Sequence, residues 1–235
     1  MAVDANHPVL GLSSMATKAV LTALTAPGVL DAPSTRFESG GGVAIAQRIR
    51  EGEVADIAVL ASGAIDKLVA EGLLDAGTIR PVFCSEGVIA VPEGAVAPNI
   101  SSVATVQEVF AAAEGIGYST GPSGDALLAL IDDWGLRDSI GARLVQAPPG
   151  VPVASLIAEH RVAIGVQQRS ELADRAGVRI VGGMPPGAEM STTFSGAVLT
   201  ASPRPEDADR VLAALAGPTA YETIRRHHLQ PATDQ

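Results

Sequence analysis

The sequence predicts a two-lobed α/β protein, and three observations predict it. Short apolar runs alternate with helix-period segments over the first third of the chain. Two long extended runs, at residues 82–92 and 192–201, interrupt that alternation, and a second alternating series fills the stretch between them. In order, residues 8–12 read as a strand and 14–26 as a helix that opens on serine and stops at Pro27-Gly28. A strand over 35–38 breaks at Gly40-Gly41-Gly42 and leads into a helix over 43–51 with one apolar face. Ile57-Ala58-Val59-Leu60-Ala61 is the third strand, followed by a helix over 64–71. Strands separated by helices of this length imply a parallel, doubly wound sheet. Beyond the first extended run come helix 103–113, strand 116–118, helix 123–134, strand 142–145, helix 151–159 and strand 162–166; helices 205–216 and 218–228 close the chain. The expected lobes are 1–82 with 195–235, and 83–194, each with a sheet of its own. Such a layout places a ligand in the cleft between the lobes, near strand C-termini and helix N-termini.

Composition narrows the function. The 235 residues carry 26 acidic against 16 basic side chains, a net charge of −10, with no Lys/Arg-rich run. That removes the electrostatic attraction on which nucleic-acid binding and adhesion to anionic lipid depend, so neither partner is expected. Aromatic residues make up 3% of the chain and hydrophobic ones 47%, and mean hydropathy is +0.28, which is too apolar for a disordered chain. The single cysteine, Cys84, excludes an internal disulfide, and no His/Asp/Glu spacing suggests a metal site. The N-terminal residues 1–8 show no basic segment followed by an apolar one, so a cytoplasmic chain is expected, or a periplasmic one if a leader has been removed.

Three junctions have the composition of anion cradles, with small residues where a strand gives way to a helix: Ser13-Ser14, Ser39-Gly40-Gly41-Gly42, and Ser119-Thr120-Gly121-Pro122-Ser123-Gly124. Unpaired backbone N–H groups and the positive end of the helix dipole face a bound anion at such places. Serine caps and βα-turn glycines are also ordinary structural choices, but three at one expected cleft edge point to a ligand with two or more negative oxygens. Gln167-Gln168 and Thr192-Thr193, with Ser85 in the first crossing, would complete a polar shell. Lys18, one helical turn beyond Ser14, could reach a carboxylate. Glu38, beside the glycine turn, is the best-placed general base, and Asp125 is the second choice.

The order of these motifs resembles a known family. Ser13-Ser14, then Phe37-Glu38-Ser39-Gly40-Gly41, then Gly52-Glu53-Val54-Ala55-Asp56-Ile57, then Tyr118-Ser119-Thr120-Gly121-Pro122-Ser123-Gly124 and Ile164-Gly165-Val166-Gln167-Gln168 look like the molybdate-binding-like branch of the type II periplasmic binding proteins. The resemblance implies two lobes, two hinge crossings, and an oxyanion held by Ser13 or Ser14, Ser39 and Ser123. The Gln167-Gln168 and Thr192-Thr193-Phe194 segments are similar to a subgroup of substrate-binding-domain proteins that includes aconitate isomerase. That subgroup implies cofactor-independent movement of a double bond by allylic proton transfer in a small unsaturated polycarboxylate. The alternative is a non-catalytic solute-binding protein for a molybdate-like oxyanion or a carboxylate. Fold alone does not choose between them.

Overall fold

The computed structural model describes residues 7–148 and 150–232; the expectation about a leader rests on Met1–Asn6 and lies outside the described residues. The chain divides into two compact units, one of residues up to Ser85 together with those from Thr193, the other Glu86–Thr192.

In the first unit, β1 (Val9–Ser14) passes through a 3-10 turn at Met15–Thr17 into α1 (Lys18–Leu24). The strand β2 (Thr35–Gly40) leads into α2 (Gly42–Arg50), and β3 (Ile57–Ala61) into α3 (Ser62–Ala70). The unit also takes the start of β4 (Arg80–Pro92) and nearly all of β9 (Ser191–Val198), then α9 (Pro205–Ala216), α10 (Tyr221–Arg226) and the short β10 (Gln230–Pro231). Strand order is β2-β1-β3-β9, with β1 parallel to both β2 and β3 and β9 antiparallel to β3. Apolar residues alternate along the strands between two faces. Val9, Ile57 and Val59 join Leu21, Leu24 and Leu212 in one core, while Leu12, Ala58 and Leu60 join Ile45, Ile49, Ile65 and Leu68 in another.

In the second unit, α4 (Val103–Ala112) precedes β5 (Ile116–Tyr118) and α5 (Pro122–Asp133). Then come α6 (Arg137–Ile140), β6 (Leu144–Gln146), α7 (Val153–Ala158), β7 (Ile164–Gln168), α8 (Arg169–Leu172) and β8 (Val178–Gly183). Here β5 lies parallel between β6 and β7, and β4 runs antiparallel to β7 and β8.

The structure corrects the expected strand direction. Both extended crossings are ladder strands, β9 running antiparallel to β3 in the first unit and β4 antiparallel to β7 and β8 in the second, so each unit's sheet is mixed rather than purely parallel. The reason is length and pattern: β4 has 13 residues, enough to satisfy its backbone in more than one ladder. The strand expected over 142–145 is displaced, because Gly141–Arg143 forms a 3-10 turn before β6. The elements α6, α8 and β10 are too short to show a period, and β8 ends in Gly182-Gly183, whose turn-like composition hid it. Trp134, half-buried, packs against the core of the second unit, its ring 6.1 Å from that of Phe110. No helix among the described residues is long and apolar enough to cross a membrane.

The end of the first unit opposite its strand-to-helix junctions is tied by one buried carboxylate. Asp56, 2% exposed, accepts hydrogen bonds from the Leu10 N–H at 2.8 Å, the Ser202 hydroxyl at 2.7 Å and the Arg204 guanidinium at 3.2 Å. Removing one member of such a set leaves a buried charge without its counter-charge. Asp56→Ala should therefore lower unfolding free energy by about 3–5 kcal/mol, visible in a thermal or urea melt, whereas breaking the exposed Arg50–Glu71 pair should cost no more than about 1 kcal/mol.

Candidate functional site

In the first unit the parallel register sets the site. Ser13 lies opposite Ser39 and Ser14 opposite Gly40, so the C-terminal ends of β1 and β2 stop together. The Ser13 and Ser39 hydroxyls are 2.8 Å apart; one proton bridges them and the other remains to be donated outward. Ser13 is fully buried and Ser14 nearly so, and the Ser14 hydroxyl has no hydrogen-bond partner. An orphan hydroxyl at such depth costs about 1–3 kcal/mol, which a ligand at that point would offset.

The glycines support the same reading. Gly41 is the N-cap of α2 at φ −58°, a conformation open to any residue, and a Cβ there would meet nothing within 4 Å. A Cβ on Gly42 would touch Ser14 alone, at 4.0 Å. Neither packing nor, at Gly41, the backbone asks for glycine, and the missing side chains leave the N-terminus of α2 open to close approach.

A third junction on this edge is absent from the sequence reading. Ser62, the first residue of α3, donates to the Thr193 carbonyl at 3.1 Å, and its oxygen lies 2.8 Å from the Ser195 hydroxyl. Ser62-Gly63 after β3 repeats the pattern of a small polar residue at a strand end, and that signal was available. Thr193 also meets the Cys84 thiol at 3.5 Å, and the neighbouring Ser85 hydroxyl is buried without a partner. Lys18 is exposed on the first turn of α1.

Glu38 is not brought to the serine pair. Strand alternation sends Ser39 to one face of β2 and Glu38 to the other, where it is exposed and paired with Arg48 at 2.9 Å. Arg48 is shared with Glu53, and its hydrogen bonds hold the Glu53 carboxyl below the ordinary range.

In the second unit, Gly121 caps α5 and its N–H donates to the Ser119 hydroxyl at 3.2 Å; that hydroxyl is also 3.2 Å from the buried Ser123 hydroxyl. Gly124 is required here, since a Cβ would lie 1.9 Å from the Ser119 carbonyl oxygen. Asp125 is exposed in the first turn of α5, where a carboxylate complements the helix dipole.

The two glutamines at the end of β7 face opposite ways. Gln168, 2% exposed, donates to the Thr192 hydroxyl at 2.7 Å and keeps an unpartnered Oε1. Gln167, 3% exposed, accepts the Val153 N–H at the start of α7 at 3.0 Å. Glu171 is half-buried, and burial pushes its carboxyl up to about 7, against the opposing pull of Gln167 and Arg175. No sequence signal marks Glu171, because its environment is made by tertiary packing. Among the described residues no group of three or more His, Cys, Asp or Glu side chains is arranged to hold a metal ion.

Serine- and glycine-lined strand ends in two α/β units, with β4 and β9 spanning both, define the type II periplasmic-binding-protein class. Residues 34–230 match the bacterial extracellular solute-binding protein family, and the chain belongs to that family. An aconitate isomerase from Pseudomonas sp is 28% identical over 98% of this chain and 94% of its own length. Among solved structures, the periplasmic molybdate-binding protein of Azotobacter vinelandii superposes with a TM-score of 0.76 at 17% identity, covering 94% of this chain and 98% of that one. The sulfate-binding protein SubI of Mycobacterium tuberculosis gives 0.73 at 16%, covering 97% and 90%.

Two outcomes are expected. Gly41→Ala should keep stability within about 1 kcal/mol in a urea melt, because its methyl group would meet nothing within 4 Å. The folded state should lose stability as pH rises from about 4.5 towards 7, since the native Glu171 carboxyl holds its proton more tightly than the unfolded one. Glu171→Gln should flatten that window in urea melts, by an amount on the order of 1–3 kcal/mol.

Proposed function

We propose that the chain binds a small unsaturated polycarboxylate through these strand edges and isomerises it by allylic proton transfer, as an aconitate-isomerase-like enzyme without a cofactor. The observation that carries this reading is the near full-length similarity to the Pseudomonas aconitate isomerase. The site's chemistry supports it. Its donors are neutral hydroxyls and backbone N–H groups, which suit both a resident carboxylate and the charge that spreads onto it when a neighbouring C–H proton leaves. Beside the cradle, Met15 is 36% exposed and Val43 70%, and apolar side chains at that position favour a ligand with a carbon skeleton over a bare tetrahedral oxyanion.

The second reading is a solute-binding protein for such an anion, favoured by the family and by neighbours named for molybdate and sulfate. One experiment separates the two. Thermal-shift screening with cis-aconitate, trans-aconitate, citrate, molybdate and sulfate, followed by incubation of each hit in deuterated buffer, should show conversion between the aconitates and deuterium at carbon. Stabilisation without conversion or exchange would leave a binding protein. Ser39→Ala combined with Ser123→Ala should weaken binding of the best hit by more than ten-fold, since a hydrogen bond to charge contributes about 1.5–3 kcal/mol. An unchanged Kd would remove both serines from the site.

A further inference from the structure

We propose that Gln168, held by Thr192, makes the α5 end of the second unit a mixed donor and acceptor subsite that takes an O–H group of an organic acid and rejects a fully ionised oxyanion. The inference deepens the reading above, since it rests on a small carboxylate being the ligand.

Side-chain alternation along β7 gives the placement. Ile164 and Val166 pack with Leu127 and Ile131 of α5 in one core. Gly165 between them faces the other layer, where a Cβ would run into Ile157 and Val153 of α7, and Gln167 follows it there to accept the Val153 N–H. Gln168, two residues beyond Val166 at the end of β7, therefore leaves the sheet on the α5 face. The register agrees. Tyr118, the last residue of β5, lies opposite Val166 in a parallel pair, so the residues that lead from Tyr118 into α5 and the Gln168 side chain share one strand edge and one face.

The chemistry there differs from that of the serine pair in the first unit. Gln168 is 2% exposed, its Nε2 donates to the Thr192 hydroxyl at 2.7 Å, and its Oε1 is buried without a partner. Thr192 accepts that bond and keeps its own proton to donate. An amide oxygen only accepts, and so do the oxygens of an ionised carboxylate, sulfate or molybdate, so these lone pairs oppose one another across the subsite. A ligand O–H, from a hydroxyl or an un-ionised carboxyl, satisfies Oε1 and can accept from Thr192 in return. The helix end adds little that would suit a dianion. Pro122 at its first position has no N–H, the N–H groups of Gly124 and Asp125 are both spent on the Gly121 carbonyl at 2.9 and 3.2 Å, and Asp125 brings a negative charge to the same turn. Gln168 is in this scheme the residue that tells an organic acid from a bare oxyanion.

The test measures Kd at pH 7 by calorimetry for citrate, for tricarballylate, which has the same three carboxyls and no hydroxyl, and for molybdate and sulfate. Each titration is repeated in buffers of different ionisation enthalpy to count protons taken up. If the O–H comes from a hydroxyl, citrate should bind about ten-fold or more tighter than tricarballylate; if it comes from an un-ionised carboxyl, tricarballylate should bind with uptake of a proton. Gln168→Leu should abolish whichever of these is seen and bring the inorganic oxyanions closer to the tricarboxylates, with the unliganded melting temperature unchanged or raised because a buried orphan acceptor has gone. Thr192→Val, which frees the amide to turn over and donate, should narrow the same discrimination, and it decides the matter if the leucine variant fails to fold. Equal binding of citrate and tricarballylate without proton uptake would overturn the proposal, as would molybdate or sulfate binding within three-fold of citrate, or discrimination left intact in either variant. If neither tricarboxylate binds, the carboxylate reading falls and the subsite with it; tight binding that both variants leave unchanged removes the subsite alone.

Discussion

The in-register parallel pairing of β1 with β2 is the constraint on which the first unit's site depends. Because Ser13 is matched to Ser39 and Ser14 to Gly40, the two strands end at the same height, and their helices begin side by side. A slip of one residue would turn Ser39 to the opposite face and put Glu38 against Ser13. The buried partners of the neighbouring positions forbid that slip. A Cβ on Gly11 would collide with the Phe37 ring at 2.2 Å, so Phe37 fills the place of the missing side chain and pins the two strands in register. A packing contact two residues away from Ser13 therefore fixes the geometry of a polar pair.

The same alternation that aligns the serines also separates residues that are adjacent in sequence. Glu38 and Ser39 leave opposite faces of β2, and Gln167 and Gln168 leave opposite faces of β7. A motif read as one unit is, on a strand, two half-motifs with different neighbours. That is why the positions of the junction serines and glycines at strand ends were legible from composition, whereas the side of the strand to which Glu38 turns was not. Ser39 lies where strand and turn chemistry put it. The burial of Glu171 depends on packing, which leaves no local pattern in the sequence.

Much of the fold was legible for the complementary reason. The strand over Ile57–Ala61 and the helix over Pro205–Ala216 have the residues their sequence patterns assign, because an unbroken apolar run and a proline-led amphipathic segment are local signals. Sheet direction was not legible. Whether an extended crossing joins the ladder antiparallel, as β9 does against β3 from Ile57↔Val198 to Ala61↔Phe194, depends on partners far apart in the chain. Short βα periodicity speaks for parallel neighbours and says nothing of a later strand that inserts beside them.

The unpartnered hydroxyls of Ser14 and Ser85 and the Oε1 of Gln168 complete the physical picture. A protein selected for stability alone would fill such positions with alanine or valine, or turn the polar atom towards a partner, as Ser62 is turned towards Thr193. Each atom left unpaired lowers stability by about as much as a ligand hydrogen bond there would return. With neutral donors in place of lysine or arginine, these positions would hold an anion by geometry rather than by a strong fixed charge, and a chain of net charge −10 offers little general attraction to compensate. Such a site discriminates by the shape and number of acceptor oxygens. Under the proposed isomerisation it would also leave the ligand's own charge free to redistribute, which a proton transfer at an adjacent carbon requires and which a tight ion pair with a cation would oppose by fixing that charge in the ground state.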